Sequence, residues 1–183
     1  MRQLTKQKVS VLKISVLRIG HRIFRDQRIT THCALASRAF GADEIIIVGD
    51  TDQKLKNNIE KISSEWGGDF KISFSTTWKD IIKKYSSSGY KIVHATMYGL
   101  RLQDVEDKIK QNEKILLVAG GEKVPPEMYQ LADYNVAVTN QPHSEVSSIA
   151  VFLDHVFQGQ ELKKDFKNAK RKINPSAHGK DFT

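Results

Sequence analysis

The stretch Val136-Ala-Val-Thr139-Asn140-Gln141-Pro142-His143-Ser144-Glu145-Val146-Ser-Ser-Ile149-Ala150-Val-Phe-Leu153-Asp-His-Val156 decides how the rest of the chain is read. It opens as a short buried strand, Val136 to Val138. It turns through Thr139 to His143, none of them an apolar core former. It continues as a helix with Val146, Ile149, Ala150, Leu153 and Val156 on one stripe, in steps of three and four. Pro142 suits a first helical turn, where its missing N–H is not needed. Glu145 sits favourably near the positive end of the helix dipole. A strand that runs through a polar loop into a helix N-terminus leaves unpaired backbone N–H groups facing outward, a common place to hold a cofactor. An ordinary strand–helix connection has the same pattern.

Working outward, the same alternation recurs. Val9 to Ile19, Glu44 to Val48, Phe70 to Phe74, Lys91 to Ala95, Ile115 to Val118 and Val136 to Val138 read as six strands. Helical patterns separate them: a segment ending near Phe40, one with Leu55, Ile59, Ile62 and Trp66 on a face opened by Asp50 and Thr51, one around Trp78 to Tyr85, one over 101–111, and a short one at Met128 to Leu131. The strand runs are short and nearly continuous in apolar residues rather than alternating. That predicts an α/β fold with a parallel sheet covered on both faces. Between Gly20 and the helix ending at Phe40 lies His21-Arg22-Ile23-Phe24-Arg25-Asp26-Gln27-Arg28-Ile29-Thr30-Thr31-His32, which reads as a polar loop with Thr30 or Thr31 capping the helix. Beyond residue 158 the apolar period fails, and Glu161 to Thr183 reads as a basic extension with room for one further helix.

Composition narrows the class. The 183 residues are 39% hydrophobic and 27% charged, and no apolar run approaches the roughly 20 residues of a membrane span. The start, Met1-Arg-Gln-Leu-Thr-Lys, has no apolar signal core, and the single cysteine, Cys33, cannot form an internal disulfide; both fit a cytoplasmic protein. The net charge of +8 is unevenly placed: residues 1–28 carry eight Lys/Arg against Asp26, residues 161–183 carry seven against three acids, and the body between is slightly acidic. Two basic ends on an acidic body point to a polyanion, most simply nucleic acid; a solubilising tail is the plainer reading.

Three loops leave strand ends in the second half: Thr96 to Leu100, Gly120 to Val124 and Thr139 to Ser144. Ligands of open α/β sheets sit outside the carboxyl ends of strands, so the three fit one pocket. The familiar nucleotide and hydrolase motifs are absent, so Lys123 is no P-loop lysine and Ser144 no elbow nucleophile. His143 and His155 lack metal-ligand spacing. Arg22, Arg25 and Arg28, beside His21 and His32, suit bidentate phosphate binding, with Asp26 available to hold one of them; an exposed salt-bridged loop is the alternative.

Four segments together carry a resemblance. Arg18-Ile-Gly-His21-Arg22-x-x-Arg25-Asp26-x-Arg28-x-Thr30-Thr31-His32, Thr96-Met97-Tyr98-Gly99-Leu100, Gly121-Glu122-Lys123-Val124-Pro125 and Asn140-Gln141-Pro142-His143-Ser144-Glu145-Val146 resemble the archaeal tRNA (cytidine-56) 2′-O-methyltransferase family of the SPOUT superfamily. The resemblance runs from about residue 11 to 158. It implies a SPOUT domain over 9–158 with a deep trefoil knot near 115–158, followed by the basic extension 159–183. It implies S-adenosylmethionine held largely by backbone groups of Ala95, Thr96, Met97, Tyr98 and Gly99, of Gly120, Gly121, Glu122, Lys123 and Val124, and of Thr139, Asn140, Gln141, Pro142, His143, Ser144, Glu145 and Val146. It further implies a homodimer in which the partner's arginine loop completes each pocket, a tRNA ribose as substrate, and no metal. The catalytic candidates are Arg22, Arg25 and Arg28, with His21 and His32 in reserve. Bacterial relatives of the superfamily place an Asn and then an Arg six positions later before a helix, and neither Arg28 nor Arg38 aligns with that pattern. An RNA-binding protein that has lost the cofactor, and a methyltransferase acting at another RNA site, are the competing readings.

Overall fold

Apolar runs of four to six residues cannot be half-solvated, and the chain covers all of them. In the computed structural model residues 12–121 and 124–183 are described. Arg2, Lys6 and Lys8, the start of the expected first strand, and the pocket candidates Glu122 and Lys123 lie outside them. Strands β1 (Lys13–His21), β2 (Glu44–Gly49), β3 (Lys71–Ser75), β4 (Lys91–Arg101), β5 (Lys114–Gly120) and β6 (Tyr134–Ala137) form one sheet in the order β3-β2-β1-β5-β4-β6. Every neighbouring pair is parallel. Helices α1 (Ile23–Ala39), α2 (Gln53–Trp66), α3 (Trp78–Ser87), α4 (Leu102–Lys110), α5 (Glu127–Leu131) and α6 (Glu145–Phe157) connect them.

The period-2 alternation of strand side chains separates two cores. One joins Ile14, Val16, Ile115 and Leu117 to Cys33 and Ala34 of α1, Leu55 and Ile59 of α2, Leu102 and Ile109 of α4, and Ile149, Phe152 and Leu153 of α6. The other joins Leu17, Ile19, Leu116 and Val118 to Ile82 and Tyr85 of α3 and Met128 of α5. The order reverses beside β1: the chain moves outward through β2 and β3, then crosses to build β4, β5 and β6 on the other side. That crevice, between the ends of β1 and β5, is where an open α/β sheet holds ligands.

Several expectations are corrected. The segment from His21 to His32 is not a loop: α1 begins at Ile23, with Arg22 at its N-cap and Arg25 and Arg28 in its first turns. Thr30 and Thr31 therefore lie inside the helix and cap nothing. The buried positions of α1 are Asp26, Thr30, Cys33, Ala34, Ala36, Ser37 and Arg38. They recur at helical spacing, but in small and polar side chains, so apolar periodicity did not register the first turns. Helix α2 is capped by Asp52, whose carboxylate accepts from the Leu55 N–H, rather than by Asp50 or Thr51. Helix α6 starts at Glu145 with Ser144 as its N-cap, so Pro142 precedes it. The stretch 96–100 does not end its strand: both Ala95 and Leu100 lie opposite Val136, so residues 96–99 bulge out and β4 resumes.

The basic extension holds no further α-helix. It forms a 3₁₀ turn at Glu161–Lys163 and an antiparallel pair, β7 (Ile173–Asn174) with β8 (Asp181–Phe182). Before the pair it docks on the body. Arg38 donates to the Gly67 carbonyl at 2.6 Å, its guanidinium lies 4.8 Å from the centre of the Phe166 ring, and Gly68 N–H donates to the Lys167 carbonyl at 2.8 Å.

Candidate active site

The three segments proposed from the sequence lie along the carboxyl edge of one sheet: 96–99 as the bulge within β4, and the others after β5 and β6. Two of them are tied directly. Asn140 Nδ2 donates to the Met97 carbonyl at 2.7 Å and the Gly99 carbonyl at 3.1 Å, so the loop after β6 grips the bulge of β4. Thr96 Oγ1 lies 3.0 Å from the Tyr129 hydroxyl and accepts from the Tyr98 N–H at 3.4 Å. At β5 a Cβ on Gly120 would collide with the Val124 side chain, whereas among the described residues a Cβ on Gly121 would meet only Glu145 Oε1, at 3.6 Å. Val124 thus lies back against Gly120, and Gly121 lies beside the start of α6.

The loop entering α6 is held by its own side chains. Ser144 Oγ accepts from the Ser147 N–H at 3.3 Å. His143 places Nδ1 2.6 Å from the Gln141 carbonyl and Nε2 2.8 Å from Ser148 Oγ. A carbonyl only accepts, so Nδ1 carries the proton and Nε2 receives the serine hydroxyl. Both ring nitrogens are committed to shaping the loop. Beside it lies a shallow cleft of about 290 Å³ lined by Arg101, Gln103 and 138–141. Arg101 and Gln103 sit at the junction of β4 and α4, and no motif in the sequence marked them.

The arginines occupy the same edge, at the end of β1. Arg25, Arg28 and His32 follow i, i+3, i+7 spacing and are all exposed, so they share one face of α1. Arg22 is also exposed, and its backbone N–H and Nε both donate to Asp26 Oδ2, at 3.1 and 3.0 Å. Partial burial pushes the Asp26 carboxyl up, but the bonds from Arg22 outweigh it and hold the group below its usual range. Asp50 accepts from the Ile23 N–H at 3.0 Å, supplying a first-turn partner. His21 faces inward: it is buried, with Nδ1 2.9 Å from Thr30 Oγ1 and Nε2 3.8 Å from Asp52. It supports the start of α1 and is not on the arginine face.

Two buried histidines set a pH dependence. Burial lowers the pKa of His21, with Arg18 acting in the same sense, and burial lowers that of His94, whose Nδ1 lies 2.9 Å from Asn135 Oδ1. Both fall below the ordinary 6.5. The unfolded chain therefore binds more protons than the native one between that value and the native values. Stability should be full above about pH 6.5 and decline as the pH drops through this window. Urea unfolding at pH 7.5 and 5.5 checks this, and His94→Asn should flatten the slope.

Arg18 was quoted only as part of a motif, and its placement could not be read from the sequence. It sits on the central strand β1, 1% exposed, with Nη2 3.6 Å from Glu145 Oε1. This buried arginine marks the meeting of β1, β5 and α6.

A sequence profile of the tRNA ribose 2′-O-methyltransferase family aTrm56 matches residues 66–183, which hold all three loops. The chain belongs to this family. It is 52% identical over 171 residues to the tRNA (cytidine(56)-2′-O)-methyltransferase of Thermococcus kodakarensis, covering 91% of this chain and 94% of that one. It is 49% identical over 168 residues to the enzyme of the same name from Nitrosopumilus maritimus, covering 92% and 94%. Among solved structures the fold is similar to an RNA 2′-O ribose methyltransferase, with a TM-score of 0.62 at 14% identity, covering 87% of this chain and 61% of that one. It is also similar to the A. aeolicus TrmH/SpoU tRNA modifying enzyme, with a TM-score of 0.60 at 15% identity, covering 84% and 77%. The parallel-sheet α/β fold is that of SPOUT methyltransferases. Among the described residues no helix is long and apolar enough to cross a membrane.

Proposed function

We infer that the chain transfers a methyl group from S-adenosylmethionine to the ribose 2′-hydroxyl of cytidine 56 in the TΨC loop of tRNA. The observation that carries this is identity near one half, over nine-tenths of the chain, to enzymes named for that reaction. The residues present suit the cofactor. The segments 95–99, 120–121 and 139–146 lie together at one sheet edge, and Gly121 brings no side chain to it. When bound, the cofactor supplies an activated methyl on a sulfonium, and no metal is required for that. The protein's part is to orient the ribose and accept a proton.

Arg22, Arg25 and Arg28 are assigned to phosphates flanking the target. The exposed cations of the extension, Lys163, Lys164, Lys167, Lys170, Arg171, Lys172 and Lys180, extend the polyanion surface. We further propose a SPOUT domain over 9–158 carrying a trefoil knot, a homodimer in which the partner's α1 completes each pocket, and cytoplasmic location. The tight passage of Gly99 against β6 supports the knot.

Transfer of labelled methyl to an unmodified tRNA transcript, followed by nuclease digestion and nucleoside analysis, tests the reading. 2′-O-Methylcytidine from the TΨC loop is expected. A product elsewhere would move the substrate, and no incorporation with no cofactor binding would favour a non-catalytic RNA-binding protein. Binding to tRNA should weaken steeply with salt. Arg25→Gln should lower the slope of log K against log[salt] by about one; an unchanged slope removes Arg25 from the phosphate contacts.

A further inference from the structure

The Arg18 guanidinium is the least satisfied buried group at the site. Its Nε and Nη1 find no hydrogen-bond partner among the described residues, and its ion pair with Glu145 spans 3.6 Å. Its neighbours in the sheet are Ile47 and Ala119, and Ile14 and Val16 precede it on the same face. An aliphatic side chain would fill that position without stranding any N–H group in the interior. A charge kept there against that penalty calls for a task, and its direction is given by Glu145.

Glu145 opens α6 and its side chain is one-fifth exposed; its Oε1 lies 3.6 Å from Arg18 Nη2 and 3.6 Å from where a Cβ on Gly121 would stand. This is the crevice between β1 and β5. From β1 it is faced by Arg18 and from α1 by Cys33, whose thiol burial pushes up to about 12, so the cysteine is neutral and competes for no proton. Within its own loop His143 has both ring nitrogens engaged. Asp26 and His21 also lie within the field of Arg18.

We propose that Glu145 is the proton acceptor for the target ribose hydroxyl and that Arg18 is the residue that positions it. This rests on the methyltransferase reading and assigns within it a step that exposed arginines perform poorly, since a guanidinium holds its proton above pH 12. In the step the 2′-oxygen forms a bond to the methyl carbon while the carbon–sulfur bond breaks. The electron pair of that bond stays on sulfur, leaving a neutral thioether. The hydroxyl proton passes to Glu145 and then to solvent. The hydroxyl becomes strongly acidic as its oxygen bonds to carbon, so a carboxylate suffices. Arg18 keeps the carboxylate aimed.

The test uses Glu145→Gln, Arg18→Met and the double variant, which removes both charges and stays foldable where a single variant leaves one charge unpaired. Two readouts are taken: calorimetric binding of S-adenosylmethionine and the pH profile of single-turnover methyl transfer. Glu145→Gln and the double variant should bind the cofactor within about threefold of wild type. Both should transfer methyl on the order of 100-fold more slowly and lose the acidic limb of the profile. Arg18→Met should bind the cofactor as wild type does, keep the acidic limb and transfer methyl on the order of tenfold more slowly, with Arg18→Lys recovering part of the rate. Retention of the acidic limb in Glu145→Gln, loss of cofactor binding along with activity, or an Arg18→Met rate equal to that of wild type would each overturn the proposal. Failure of wild-type protein to transfer methyl at all, with the cofactor still bound, would strike the methyltransferase reading instead.

Discussion

Gly99→Ala should unfold the site-bearing half of the protein at temperatures the wild type tolerates. A Cβ at residue 99 would stand 2.5 Å from the backbone carbon and oxygen of Asn135 and from the backbone nitrogen of Val136. These are atoms of β6, which cannot rotate aside as a side chain end would. Accommodation requires β4 and β6 to part where Ala95 and Leu100 both lie opposite Val136. Overpacking a well-filled interior typically costs 1–3 kcal/mol, and a backbone collision belongs at or above the top of that range. At roughly 2–4 °C per kcal/mol for a chain of this length, Tm should fall by about 10 °C. Gly179→Ala is the control, since nothing lies within 4 Å of a Cβ there. Differential scanning calorimetry of both variants checks the expectation, and equal Tm values would mean that β4 and β6 can separate freely.

Asn140→Ala should do the opposite, harming function while sparing the fold. Asn140 is exposed, and its side chain amide alone joins the loop after β6 to the carbonyls of Met97 and Gly99. Two exposed hydrogen bonds contribute about 1 kcal/mol each at most to stability. Their removal lets the bulge at 96–99 drift from the loop at 139–144. A displacement near 1 Å of positioning groups lowers turnover on the order of 100-fold. Methyl transfer at subsaturating cofactor should fall by that factor, with urea unfolding nearly unchanged. Asn140→Asp should fail as badly, because it turns an acceptor toward two carbonyl oxygens. Wild-type transfer by either variant would show that the two loops hold their positions independently.

Of these two positions, reading the chain placed one. The loop after β6 was legible because asparagine and proline interrupt an apolar run at a strand end, whereas 96–100 reads as a strand-ending turn, since nothing local shows that β4 resumes at Leu100 beside β6. The first turns of α1 were not legible. Asp26, Thr30 and Ser37 face inward there, and their burial is made acceptable by Arg22, His21 and the Cys33 carbonyl. No hydrophobic pattern reports a face whose buried polar side chains are each satisfied by a hydrogen bond. The extension was misread for a related reason. Its order comes from Arg38, Gly67 and Gly68 gripping 166–167, contacts more than 90 residues apart in sequence.

By itself the sequence determined the class of fold, the alternation of strands and helices and the family, because each depends on local runs and on motifs in order. Only the tertiary structure decided that β5 enters between β1 and β4, that the arginines ride on a helix, and that Arg18 is buried against Glu145. The separation of those last two residues along the chain is the physical reason. Burial and ion pairing are properties of what other elements bring alongside, and a strand residue carries no local sign of which helix N-terminus will close over it.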